Sequence, residues 1–181
     1  MRARLRHWLV LSSALVFGHA EDGAAKVYLS RDEAVRLAFG PQAAVSTEER
    51  ALTPELREAV GQRLGRPVPE LSVTFDVART ADGVAGYGLV LSELGKHEPI
   101  TFFVAIAPDG HVKDVMVLDY RESRGGEVRQ KGFLRQYVGK SSQDPLRLQR
   151  DITPISGATI SARAISDGVK KALVIWEEFY R

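Results

Sequence analysis

The chain has 181 residues, 44% of them hydrophobic, and no cysteine. Its length suits one ordinary domain with an appendage, and the missing cysteine excludes disulfides, thiolate nucleophiles, iron–sulfur clusters and c-type haem attachment. The formal net charge of +2 counts three arginines among the first twenty residues; beyond them 22 basic side chains meet 23 acidic ones, a balance near −1 that excludes a nucleic-acid footprint built on a basic face.

Residues 1–20 read as a signal peptide. Arg2, Arg4 and Arg6 form a charged start, Trp8 to Phe17 an apolar run, and Gly18-His19-Ala20 a small-residue site for cleavage after Ala20. The run falls short of the ~20 apolar residues a spanning helix needs. The expected product is exported, periplasmic and soluble. The alternative is an inner-membrane anchor made by an uncleaved N-terminal segment.

Residues 21–70 predict an N-terminal helical appendage. Ser30 and Glu33 form a capping box that opens a helix through Phe39, stopped by Gly40-Pro41. Thr53-Pro54-Glu55 opens a second helix, with Leu56, Val60 and Leu64 on one face and Gly65 at its end. No chemistry is legible in this stretch.

From Leu71 the period changes to two. Leu71, Val73, Phe75 and Val77 alternate with polar residues, the signature of a half-buried strand. Val84 to Ser92 is a second strand, whose Gly86 and Gly88 mark either a close approach or a bulge. Ile100 to Ala107 and Val112 to Tyr120 are two more, joined by the hairpin signal Pro108-Asp109-Gly110. Ile165, Val169, Ala172, Trp176 and Phe179 then line one face of a long helix. The fold class is α+β: a mainly antiparallel curved sheet with packed helices and a long C-terminal amphipathic helix, over residues 71–181.

Where that helix begins, the chain reads Ser156-Gly157-Ala158-Thr159-Ile160-Ser161. The first N–H groups of a helix lack partners and the macrodipole there is positive, so an anion, above all a phosphate, is favoured. Gly157 and Ala158 let a ligand approach the backbone. Ser156, Thr159 and Ser161 offer hydroxyls to bond it or to be esterified. The same residue types also make an ordinary helix cap. His97 and His111 are isolated, and no metal site or Ser–His–acid set is readable.

Ser-Gly-Ala-Thr followed by an apolar residue and a serine resembles the flavin-attachment motif of the FMN-binding domain family. That family includes the C subunit of the sodium-translocating NADH:quinone oxidoreductase and the G subunit of the Rnf complex. Further segments match in order: Gly86-Tyr87-Gly88 on an early strand, Glu122-Ser123-Arg124-Gly125 after a later one, then Phe133, Gln136, Tyr137 and Gly139-Lys140. The resemblance implies FMN as cofactor, esterified through its phosphate to Thr159 by a flavin transferase. It places the turn holding Glu122 and Ser123 beside the flavin, where Glu122 accepts a hydrogen bond from a ribityl hydroxyl or the ring. Tyr87, Tyr120 and Tyr137 are open to stacking on the ring or to core packing. Ser123 stands for the family's Thr and Arg124 where Pro is common; the departure that matters is Thr153, which stands where the family usually has Asp, with Asp151 the nearest acid.

The resulting expectation is an exported electron carrier, not a stand-alone enzyme, that exchanges electrons with a membrane or periplasmic redox protein. Two alternatives stand beside it. One is a non-covalent flavin or phosphate-ligand binding module without redox turnover. The other is a cofactor-free interaction domain whose helix cap mimics the motif.

Overall fold

The computed structural model describes residues 28–181; the signal-peptide reading lies outside them. The capping box forms: Ser30 Oγ accepts from the Glu33 N–H, and the Glu33 carboxylate accepts from the Ser30 N–H at 2.8 Å. It opens helix α1 (Arg31–Phe39), which Gly40 ends. Helix α2 (Pro54–Leu64) starts on the Thr53 hydroxyl and closes at Gly65 in the left-handed conformation.

Between them lies an element the sequence reading missed. Ala44–Ala51 is a strand, β1, paired antiparallel with the next strand. Residues 21–70 are therefore not purely helical, because they supply one edge of the sheet. Most β1 side chains stay in water, so nothing forces the alternation by which a half-buried strand is recognised.

Strands β2 (Ser72–Thr80), β3 (Gly83–Leu94), β4 (Pro99–Ile106) and β5 (Val112–Tyr120) follow. The five strands lie in the order β1-β2-β3-β4-β5 and every neighbouring pair is antiparallel. Period-two alternation sorts side chains onto two faces. Phe75, Leu89, Val104 and Val115 stand in register across four strands, all buried in one core. On the opposite face Ala78, Phe103, Ala105 and Leu118 pack with Ala34, Val35, Ala38 and Phe39 of α1. The β3 glycines serve this second face. A Cβ on Gly86 would lie 2.6 Å from the Phe39 ring, and one on Gly88 would run into Phe103. The close approach there is made by protein side chains.

The first core is closed by helix α4 (Thr159–Tyr180), which crosses β3 and β4 and meets α2. Ile165, Val169, Ala172 and Trp176 are buried, as their spacing requires, and Phe179 is partly so. Burying one such large apolar side chain contributes about 1.5–3 kcal/mol. Lys171, with 3% of its side chain exposed, is paired with Glu70 and, at 2.6 Å, with Glu93, which Arg66 also holds at 2.9 Å. A cation at such depth is tolerable only when paired. The network fastens α4 to β3 and to the segment after α2.

After β5 the chain makes a 3-10 turn (Gly126–Arg129), the short helix α3 (Lys131–Leu134) and a second 3-10 turn (Arg135–Tyr137). Gly139 N–H then donates to Val112 O, and Val112 N–H to Lys140 O, both at 2.8 Å. These bonds clip the segment to the start of β5. An irregular stretch leads back to α4.

Candidate functional site

The turn before α4 is closed by Ala158 N–H donating to Ile155 O at 3.1 Å. Gly157, at its third position, has φ +81°, the left-handed value that a type II turn demands there and that glycine adopts without strain. A side chain at Gly157 would meet nothing within 4 Å, so the turn faces open space. Ala158 is the N-cap residue, and its carbonyl accepts the first helical bond from Ala162 at 2.9 Å.

Among the described residues no side chain caps this helix. Ser156 and Thr159 are exposed on the turn and the first helical residue, and Ile160 is half exposed at 51%. Ser161 is buried, and its hydroxyl is engaged elsewhere. The ordinary-cap reading of the six residues does not hold, because none of their hydroxyls caps the helix. The positive end of a 22-residue helix thus begins at a first turn whose Thr159 and Ile160 are exposed, next to exposed Ser156.

A second segment is brought against this turn. The Tyr120 hydroxyl, at the end of β5, donates to Arg124 O at 2.5 Å and lies 3.0 Å from Ser161 Oγ. Gly125, with φ +82°, folds into the corner: a Cβ there would lie 2.8 Å from Tyr120 Oη, 3.2 Å from Ser161 Oγ and 3.4 Å from Ala158 Cβ. The structure thus unites the 122–125 loop and the 156–161 turn, which are more than thirty residues apart in sequence.

Within that loop Ser123 is exposed and Glu122 half-buried. The Glu122 carboxylate is turned to the β3–β4 connection, where Oε1 accepts from the N–H groups of His97 at 2.6 Å and Glu98 at 3.2 Å. Burial alone would raise its pKa; the backbone donors of His97, Glu98 and Lys96 outweigh that and hold it below the usual carboxylate range. The tyrosines go to packing. Tyr87 lies edge-on to Trp176 at 5.7 Å, Tyr137 is fully buried with its hydroxyl 2.8 Å from Ser166 Oγ, and Tyr120 is the loop anchor just described.

The approach to the turn is held by residues with no recognisable chemistry of their own. Thr153, at the departing position, is exposed, but its backbone is gripped by Gln136: Thr153 N–H donates to Oε1 at 2.7 Å, and Nε2 donates to Thr153 O at 3.3 Å. Asp151 is committed to its own loop. It accepts from the N–H groups of Leu146 at 3.1 Å and Arg147 at 2.8 Å, and pairs with Lys140 at 3.1 Å. Sequence reading also passed over Arg163, exposed one turn beyond Thr159. The i, i+4 spacing that sets both on one helix face was the available signal.

Residues 95–174 match the family model of the FMN-binding domain. Over that span the chain resembles the FMN-binding domain family. The matched span opens in the β3–β4 connection that Glu122 holds and closes within α4, so it contains both segments of the corner. Gly86 and Gly88 lie before it. Among solved structures the chain is similar to the C subunit of the Na(+)-translocating NADH-quinone reductase from Parabacteroides distasonis, at 13% identity and a TM-score of 0.55, over 82% of this chain and 83% of that one. At that identity the likeness concerns the fold. No curated protein matches the chain.

The corner has features that suit a phosphate-bearing cofactor such as FMN. The uncapped N-terminus of α4 suits a phosphate, and exposed Thr159 and Ser156 hydroxyls stand beside it. The open space around Gly157 leaves the turn accessible.

Proposed function

We propose that this protein is an exported FMN-carrying electron-transfer protein, with the flavin phosphate esterified to Thr159. The observation that supports this reading is the first turn of α4: among the described residues no side chain caps it, and Thr159, its first residue, is exposed.

In this reading the oxygen of Thr159 bears the ester. The N–H groups of the first turn and the Ser156 hydroxyl hold the phosphate, and Arg163 adds a countercharge from the same face. Ser161 acts through Tyr120, fixing the 122–125 loop as the second wall. Glu122 fixes the far side of that loop by holding the β3–β4 connection, and Ser123 lines it. FMN, when bound, supplies the redox chemistry, and the protein supplies position and electrostatics. A covalent tether suits an exported carrier, because a dissociating cofactor would be lost to dilution. Maturation calls for a flavin transferase, and function for a membrane or periplasmic redox protein. The structural neighbour is itself named as a subunit of a reductase.

The deciding experiment is intact mass and in-gel fluorescence after co-expression with a flavin transferase. Wild type is expected to carry one FMN that survives denaturation. Thr159→Ala should lose it entirely, while Ser156→Ala and Ser161→Ala keep it at reduced yield. An adduct retained in Thr159→Ala would sink the ester assignment. Flavin that co-purifies but is released on denaturation would establish the non-covalent module instead. Export is tested by N-terminal sequencing of protein from the native cell, with Glu21 expected as the first residue. A start at Met1 would overturn cleavage and leave an inner-membrane anchor or a cytoplasmic protein.

A further inference from the structure

We propose that Gln136 is a positioning residue for flavin attachment: its amide presets the segment that enters the turn, so that Thr159 is presented before any flavin arrives. The inference rests on the ester reading above. Both halves of the Gln136 amide are spent on the backbone of a single residue, accepting from Thr153 N–H at 2.7 Å and donating to Thr153 O at 3.3 Å. An amide used in this way acts like a rung of a β-ladder and fixes the peptide units on both sides of Thr153.

The residues after Thr153 have little freedom. Pro154 has its φ locked near −65° by its ring. The next residue, Ile155, supplies the carbonyl that closes the turn to Ala158, and the helix begins at once. Fixing Thr153 therefore fixes where the turn starts. The neighbouring Tyr137 binds Ser166 in α4 at 2.8 Å, so adjacent residues of one 3-10 turn hold the entrance to the attachment turn and the helix beyond it. The grip is on backbone alone, and the exposed Thr153 side chain takes no part in it. In transfer from FAD the Thr159 oxygen bonds the flavin-side phosphorus, the pyrophosphate bond breaks, AMP leaves and the hydroxyl proton is released; such a transfer depends steeply on placement, and an ångström of displacement costs on the order of a hundredfold in rate.

The test uses the full chain with purified flavin transferase and FAD. It follows the initial rate of covalent flavin uptake by in-gel fluorescence, alongside thermal melting and hydrogen exchange at the Thr153 amide. Gln136→Ala is expected to slow uptake at least tenfold and to speed exchange at Thr153, with little change in melting. Gln136→Glu keeps the acceptor for the Thr153 N–H and should recover much of the rate. Tyr137→Phe breaks the bond to α4 and leaves Thr153 held, so it should lower the melting temperature and load at the wild-type rate. If Gln136→Ala melts below the assay temperature, Gln136→Met carries the same comparison, having similar length and neither polar group. Wild-type uptake in a folded Gln136→Ala or Gln136→Met protein overturns the positioning role and leaves the ester reading standing. A wild type that takes up no flavin overturns both. Uptake that falls equally in Gln136→Ala and Tyr137→Phe, in step with melting, also overturns it, because the side chain then acts only through stability.

Discussion

Tyr120 Oη and Ser161 Oγ lie 3.0 Å apart, buried, across 41 residues of chain. One ends the last strand of the sheet, and the other sits in the first turn of the C-terminal helix. The same phenol donates to Arg124 O at 2.5 Å, so one hydroxyl joins strand, loop and helix at the corner where the flavin is proposed to sit.

Tyr120→Phe should show the weight of that joint. It keeps the ring and leaves a carbonyl and a buried serine hydroxyl short of a partner, at a cost of about 1–3 kcal/mol. Urea denaturation of the apo-protein should report this as a lower midpoint at constant slope. An unchanged midpoint would mean that water replaces the phenol.

Gly125→Ala should be worse. The residue is held at φ +82°, where a Cβ is strained, and the added carbon would press on Tyr120 Oη at 2.8 Å. The expected loss exceeds about 1 kcal/mol from backbone conformation alone. Gly157→Ala, at a similar φ of +81° but in open space, should lose only the conformational part. Comparing the two by denaturation separates strain from clash, and equal losses would deny that Gly125 is tightly packed.

Glu122→Gln tests a structural carboxylate. The folded pKa is held below its ordinary value, chiefly by backbone donors acting against burial. Its contribution is therefore present above the unfolded carboxylate pKa, near about 4.3, and is lost as pH falls through the lower folded value. The substitution should cost about 1 kcal/mol or less at neutral pH, since the group is half in water, and nothing at strongly acid pH. Faster amide exchange at His97 and Glu98 should accompany it. Protection unchanged at those two amides would show that the carboxylate does not hold the connection.

Glu177 sets the acid limb more strongly. Burial would raise its pKa, but the Ser142 hydroxyl and the Arg63 and Arg181 guanidiniums outweigh it and hold the carboxyl at about 2. Stability from this group is complete above the ordinary glutamate value of about 4.3 and disappears as pH falls towards 2. Wild type should exceed Glu177→Gln in denaturation midpoint at about pH 6, with the gap closing towards pH 2. A gap independent of pH would remove the ion pair between α2 and α4 as its cause.

The sequence alone determined the features that rest on local periodicity and backbone chemistry. The Ser30–Glu33 capping box, the Thr53-Pro54 start, the alternation of β2 and the buried face of α4 depend on neighbours three, four or two residues away. The Ser156–Ser161 turn was visible for the same reason, since glycine, hydroxyls and a helix start lie together in the chain. β1 was not legible, because an edge strand with most side chains in water carries no alternation and is defined by pairing with β2. Only the tertiary structure decided that none of the turn's hydroxyls caps α4. It also decided that Glu122 turns to His97 and Glu98, that Tyr120 meets Ser161, and that Gln136 grips Thr153. Each of these is a hydrogen bond between residues at least seventeen positions apart. Which distant donor meets which acceptor depends on how the sheet and helices pack, and no local pattern of residues encodes it.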